Sequence, residues 1–241
     1  MKKIICKDYE EMSRVGAVIV AQHVIKDPKC VLGLATGGTP VGMYSNLVDM
    51  HKLGDLDFSR VVSFNLDEYY PIKKSNDQSY DYFMWDNLFS HINVNPYNVH
   101  LPNGETDNPE TECVQYEKKI SEAGGIDIQV LGVGVNGHIG FNEPGDELSL
   151  VTHLTKLTPS TIEVNSRYFE KVEDVPTEAI TMGMGTIMNA KSILLLISGE
   201  SKAEVVKTLM SDTVTTATPV SFLKMHSDVT IVLDKAAASL L

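Results

Sequence analysis

Cysteine is scarce in this chain of 241 residues: Cys6, Cys30 and Cys113 are its 3 thiols, odd in number, far apart and without a C-x-x-C spacing. That excludes a disulfide framework, gives no thiolate zinc site and fits a reducing compartment. The 7 histidines form neither H-E-x-x-H nor H-x-H, so the usual histidine metal signatures are missing too. Basic residues are outnumbered, 20 Lys and Arg against 32 Asp and Glu, for a formal net charge of -12. Phosphate-backbone binding needs clustered cations that release counterions, so a nucleic-acid surface is not expected. No apolar run reaches membrane-spanning length before a charge interrupts it, and the start, Met1-Lys2-Lys3-Ile4-Ile5-Cys6-Lys7-Asp8, lacks the apolar centre of a signal peptide. The expectation is a soluble, cytoplasmic protein without a nucleic-acid or membrane partner.

Tracts of pure Ser, Gly or Pro are also missing, and 43% of the residues are apolar, enough for a sizeable core in one domain. Short β-rich apolar runs alternate with stretches of helical spacing. Ile4-Ile5, Cys30 to Leu34, Val61 to Leu66, Ile126 to Leu131, Ser192 to Ser198 and Val229 to Leu233 read as strands. Between them, Tyr9 to Ile25, Pro40 to Lys52, Gln78 to Phe89, Pro109 to Ala123 and the stretch to Met210 read as helices, and a short terminal helix is expected after Asp234. Such alternation predicts an α/β fold: an open, mostly parallel, Rossmann-like sheet with helices on both faces. In such sheets ligands collect where strands deliver their carboxyl ends.

One strand end is chemically dense. Ile126 to Leu131 leads into Gly132-Val133-Gly134-Val135-Asn136-Gly137-His138-Ile139-Gly140-Phe141-Asn142-Glu143-Pro144, where an imidazole, an amide and a carboxylate share a turn that lets backbone approach a ligand closely. Gly132, Gly134 and Gly137 also spell G-x-G-x-x-G, the dinucleotide fingerprint, which requires a helix at its end. Pro144-Gly145 comes too soon for one, so a nicotinamide or flavin site is rejected. Taken alone, His138 and Glu143 fit a solvated turn with a capping acid equally well.

Other strand ends carry further candidates. Thr36-Gly37-Gly38-Thr39, followed by Pro40 at an expected first helical position, presents free amides at a helix N-terminus, where a phosphate binds well. The same loop also serves as a plain tight turn. Asp67 and Glu68 follow the third strand and are candidate general bases, although an Asp there is often a helix cap. Lys202 opens a helix, where the dipole disfavours a cation unless an anion lies nearby. From Leu148 to Pro176 periodicity weakens around a lone Arg167, which suggests either a mobile cover of about 157–176 or an ordinary surface connection.

Five segments in order, Leu34 to Pro40, Asn65 to Tyr69, Gly132 to Pro144, Asn165 to Phe169 and Ser198 to Ala203, resemble the glucosamine-6-phosphate deaminase family. The resemblance implies conversion of glucosamine 6-phosphate and water into fructose 6-phosphate and ammonia, without metal or organic cofactor. It assigns ring opening to His138 with Asn136 and Glu143, and the transfer of the C2 proton towards C1 to Asp67. Many members have Asp where this chain has Asn136, an amide that can orient His138 but cannot hold charge. The phosphate is expected on Thr36, Gly37, Gly38 and Thr39 with Arg167 and Lys202 as its cations, Gly132 and Gly140 along the sugar, and 157–176 as the lid. Longer members form hexamers regulated by N-acetylglucosamine 6-phosphate. This chain stops at Leu241 short of their tails, so a monomer or small homo-oligomer is expected. Two other functions remain in play: a 6-phosphogluconolactonase-like hydrolase, against which the Asp67 turn speaks, and a sugar-phosphate-sensing domain, which lacks its usual DNA-binding partner segment here.

Overall fold

The computed structural model describes residues 1–166, 169, 171 and 174–241, with side chains left aside at Ser160, Val164 and Asn165. Seven strands form the central sheet: β1 (Lys2–Cys6), β2 (Val31–Leu34), β3 (Val62–Asn65), β5 (Val99–His100), β6 (Ile128–Leu131), β9 (Ser192–Ile197) and β10 (Val229–Asp234). Their order is β1-β10-β9-β6-β2-β3-β5, and every pairing is parallel. Three more strands, β4 (Asp67–Tyr70), β7 (His153–Lys156) and β8 (Glu178–Thr181), make a small antiparallel sheet in the order β4-β8-β7.

The inner strands β2, β6 and β9 are buried along their whole length, which is why they read as continuous apolar runs. Along β9, Leu194 and Leu196 pack with α1 (Tyr9–Lys26), α2 (Gly38–Lys52) and α3 (Tyr80–Asn87). Ile193, Leu195 and Ile197 face the opposite cluster with α4 (Pro109–Glu122), α6 (Met184–Met188) and α7 (Ala203–Leu209). The doubly covered parallel sheet is the predicted architecture. Among the described residues no helix is long and apolar enough to cross a membrane.

The chain leaves β2 towards β3 and β5, then returns to β6 and proceeds towards β9 and β10. The crevice between the carboxyl ends of β2 and β6 is therefore the topological switch point, where an open sheet leaves room for a ligand. Both glycine-rich loops open into it.

Four local expectations are corrected. Helix α2 begins at Gly38 with Gly37 as its N-cap, so Pro40 is the third helical residue, not the first. The residues after Asp234 form turns instead of a terminal helix. Residues 159–166, too polar to show a period, form helix α5 (Pro159–Ser166). Ala179 to Met184, with Gly183 and Gly185, reads in sequence as a turn into a short helix, but Glu178–Thr181 is β8, because an antiparallel partner in β4 supplies hydrogen bonds that no sequence window displays.

Candidate active site

At the switch point lies a cavity of about 450 Å³ lined by Thr36, Gly37, Gly38, Thr39, Asp67, Gly132, Asn136, His138, Gly140 and Lys202. Of the predicted site residues, Glu143 stands just behind this lining, hydrogen-bonded to Asn136 and Thr161 and beside His138, and Arg167 lies outside the described residues. Among the described residues no three His, Cys, Asp or Glu side chains gather as a metal site.

The first wall is the β2–α2 loop. Gly37 caps α2 without a side-chain oxygen, so the first-turn amides keep no internal partner. The loop is stiffened from behind. Tyr44 donates its hydroxyl to the Ala35 carbonyl at 2.6 Å, and Tyr9 donates to the Gly38 carbonyl at 3.0 Å while accepting the Gly42 amide at 2.8 Å. A side chain at Gly37 or Gly38 would meet nothing within 4 Å, so this wall faces open space. It is an anion-binding geometry of amides and helix dipole.

The second wall is the loop after β6. His138 lies with its ring directly over Gly134, where any Cβ would overlap the imidazole. The Asn136 side-chain oxygen accepts the His138 amide at 3.2 Å, and its Nδ2 donates to Glu143 Oε2 at 2.7 Å. His138 Nδ1 stands 3.3 Å from that same Oε2, close enough for charge attraction but not aligned as a good hydrogen bond. Helix α5 and the residue before it reach the other carboxylate oxygen: Thr161 donates to Oε1 at 2.6 Å and Thr158, just before the helix, at 3.4 Å. Burial pushes the Glu143 carboxyl up, but the contacts from His138, Thr161 and Asn136 outweigh it and hold the group at about 2. Glu143 is an anion facing an imidazole.

The third wall is Asp67, where β3 runs through Leu66 into β4. It is 6% exposed, and no hydrogen bond reaches its carboxylate among the described residues. Burial, with the neighbouring Glu68 charge added, pushes this carboxyl up to about 8. Such a group exchanges protons near neutral pH, as a general base must. Gly140, at φ 57, brings its backbone so close that a Cβ would stand 3.2 Å from Asp67 Oδ2.

Lys202 comes from the loop after β9 and donates to the Val133 carbonyl at 2.8 Å, with burial lowering its proton affinity. Asp234 fixes this loop, accepting from the Ser198 hydroxyl at 2.5 Å and the Gly199 amide at 3.0 Å. Sequence reasoning missed Leu66, Tyr80, Phe141 and Thr161, which also line the cavity. Tyr80 and Phe141 lie with parallel rings, 6.3 Å between centroids. Their apolar periods resemble those of any core residue, so only the fold reveals their place.

Known proteins resemble the chain over its whole length. Residues 12–232 match the family described as glucosamine-6-phosphate isomerases/6-phosphogluconolactonase. A glucosamine-6-phosphate deaminase of Clostridium perfringens (strain 13 / Type A) is 55% identical over 241 residues, the whole of both chains. Among solved structures, a monomeric glucosamine-6-phosphate deaminase is 45% identical with a TM-score of 0.97 over the whole of both chains. A 6-phosphogluconolactonase from Trypanosoma cruzi, 22% identical, shares the fold with a TM-score of 0.80 over all of this chain and 96% of its own.

Proposed function

The chain belongs to the glucosamine-6-phosphate isomerase/6-phosphogluconolactonase family, and we propose that the pocket at its switch point is where it converts glucosamine 6-phosphate and water into fructose 6-phosphate and ammonia. It is an enzyme of the deaminase branch, with a small sugar phosphate as substrate. The observation that carries the assignment of the pocket is the meeting of Asp67, His138, Lys202 and the 36–39 loop around one cavity.

In this reading the sugar phosphate rests on the amides of Thr36 to Thr39, with Lys202 as a point charge. Arg167, outside the described residues, is proposed as the second cation on sequence grounds. Gly132 and Gly140 lie along the sugar. His138 moves the anomeric proton to the ring oxygen, which opens the ring. The Glu143 anion on the Nδ1 side favours a proton there and leaves Nε2 for substrate. Asn136 orients both partners through its amide, a task that needs no charge.

Asp67 then takes the C2 proton of the open aldose and returns it at C1, leaving an imine at C2. Water adds to that carbon and ammonia departs. The stretch 157–176, part of which lies outside the described residues, is proposed as the lid, supported by Thr161 of α5 and Thr158 just before it, both of which donate to Glu143. A chain acting alone or as a small homo-oligomer fits this reading, since the similar solved deaminase is described as monomeric.

Purified protein should release ammonia from glucosamine 6-phosphate, one fructose 6-phosphate for each, without added metal or organic cofactor. Hydrolysis of 6-phosphogluconolactone with no ammonia release would replace this reading by the lactonase one.

A further inference from the structure

The mechanism leaves one buried acid unused. Glu68 follows Asp67 on β4 and is 2% exposed, and successive strand residues point to opposite faces. Asp67 faces the cavity, and Glu68 points behind the strand towards α3. There its Oε1 accepts the amides of Tyr69 at 2.9 Å and Tyr80 at 2.8 Å, and its Oε2 accepts the amide of Asp81 at 2.9 Å. Two of these donors open α3, whose Tyr80 side chain lines the cavity beside Asp67. No substrate could reach Glu68, yet a buried carboxylate without a purpose would be costly.

We propose that Glu68 is a positioning residue for Asp67, a fixed negative charge behind the strand that makes Asp67 a stronger base while tying the Tyr80 wall to it. The proposal rests on Asp67 being the C2 base. Three amides and a helix N-terminus stabilise the anion on Glu68, whereas Asp67 has no donor among the described residues, so a proton held by the pair sits on Asp67. Burial raises both acids, Asp67 with the Glu68 charge added to about 8 and Glu68, against the pull of its three amides, to about 7, so Glu68 is the one that ionises first.

The other titratable groups around the pair do not substitute for this charge. Tyr69 and, from α4, Tyr116 are buried phenols and Tyr80 is a partly buried one, with burial raising the proton affinity of Tyr80 and Tyr116. Asp81 lies 3.7 Å from Lys74, which screens it. Across the cavity His138 and Glu143 face each other, and Lys202, bonded to the Val133 carbonyl, is not among the charges that act on Asp67.

The test is kcat/KM for glucosamine 6-phosphate against pH in the wild type, Glu68→Gln and Glu68→Asp, with thermal melts to confirm folding. Removing the charge should move the acid limb of Glu68→Gln to lower pH by roughly one unit or more, because a like charge no longer opposes ionisation of Asp67. The weaker base should lower limiting kcat by about tenfold. Glu68→Asp keeps the charge and should keep the limb in place. A Glu68→Gln that loses kcat with its acid limb unmoved would be a merely structural effect and would overturn the proposal. Should that variant not fold, carboxyl NMR of the wild type decides: Asp67 should titrate in two coupled steps well above ordinary aspartate, and a single step near 4 overturns the idea. The NMR needs no turnover, so absence of ammonia release would sink the functional reading while the titration still judges the pair.

Discussion

Asp67 stands at the start of β4 among Leu66, Tyr80 and Phe141, with no donor on its carboxylate among the described residues. Glu143 stands across the same cavity and is reached by Asn136, Thr161, Thr158 and the edge of His138. Burial acts on both, yet one carboxyl is pushed up to about 8 and the other is held at about 2. The difference lies in the donors. Where burial is uncompensated the acid holds its proton near neutral pH and can trade it. Where hydrogen bonds answer the buried charge, the acid stays an anion and orients its neighbour. One cavity thus supplies both a mobile proton and a fixed charge.

The largest expected effect comes from removing the first of the two. Asp67→Asn should lower kcat by roughly 10³- to 10⁴-fold and abolish solvent exchange at C2, with KM nearly unchanged. Retained exchange would take Asp67 out of its role. Stability should move the other way. The folded-state proton affinity of Asp67 is raised, so wild type is favoured below the ordinary aspartate range and loses stability as pH rises towards about 8. The asparagine variant should therefore melt a few degrees higher at pH 8, an advantage that vanishes near pH 4.

Glu143→Gln should sharpen the contrast, with a smaller loss of kcat, roughly 10²-fold, concentrated in ring opening. Here the folded carboxyl is depressed, so its stabilisation is present above the ordinary glutamate range and disappears as pH falls towards about 2. Its side chain is 13% exposed and glutamine keeps part of the hydrogen bonding, so the variant should lose about 1–2 kcal/mol at pH 7 in a denaturant melt. A variant as stable as wild type at pH 7 would mean that the four contacts do not hold the anion.

Lys202 belongs to neither acid, and Lys202→Ala should raise KM by roughly tenfold, about 1.5 kcal/mol, with kcat and both pH limbs unmoved. A shifted acid limb would show that the cation acts on Asp67 and not only on the phosphate.

Much of this was legible in the residues. The glycines and His138 after β6, the loop 36–39 before α2, and Asp67 after β3 each end an apolar run, and strand ends are where an open parallel sheet places its chemistry. Helix α5 was not legible, because its period is set by contact with Glu143 and the small sheet and not by an apolar stripe. Strand β8 was hidden for a related reason: Glu178–Thr181 is a strand by virtue of β4 and β7 on either side. Tyr80 and Phe141 read as ordinary core aromatics until α3 and the glycine loop brought their rings together.

The order of residues alone determined the layers of the fold and which loops could hold an acid, a base or an anion, because period and glycine placement are local properties of the chain. The tertiary structure decided which of two buried carboxyls keeps its proton. That choice depends on donors from α5 and α3, brought near Glu143 and Glu68 only after the sheet has formed, and on their absence around Asp67. Burial and hydrogen bonding are properties of assembled space, and no spacing along the chain encodes them.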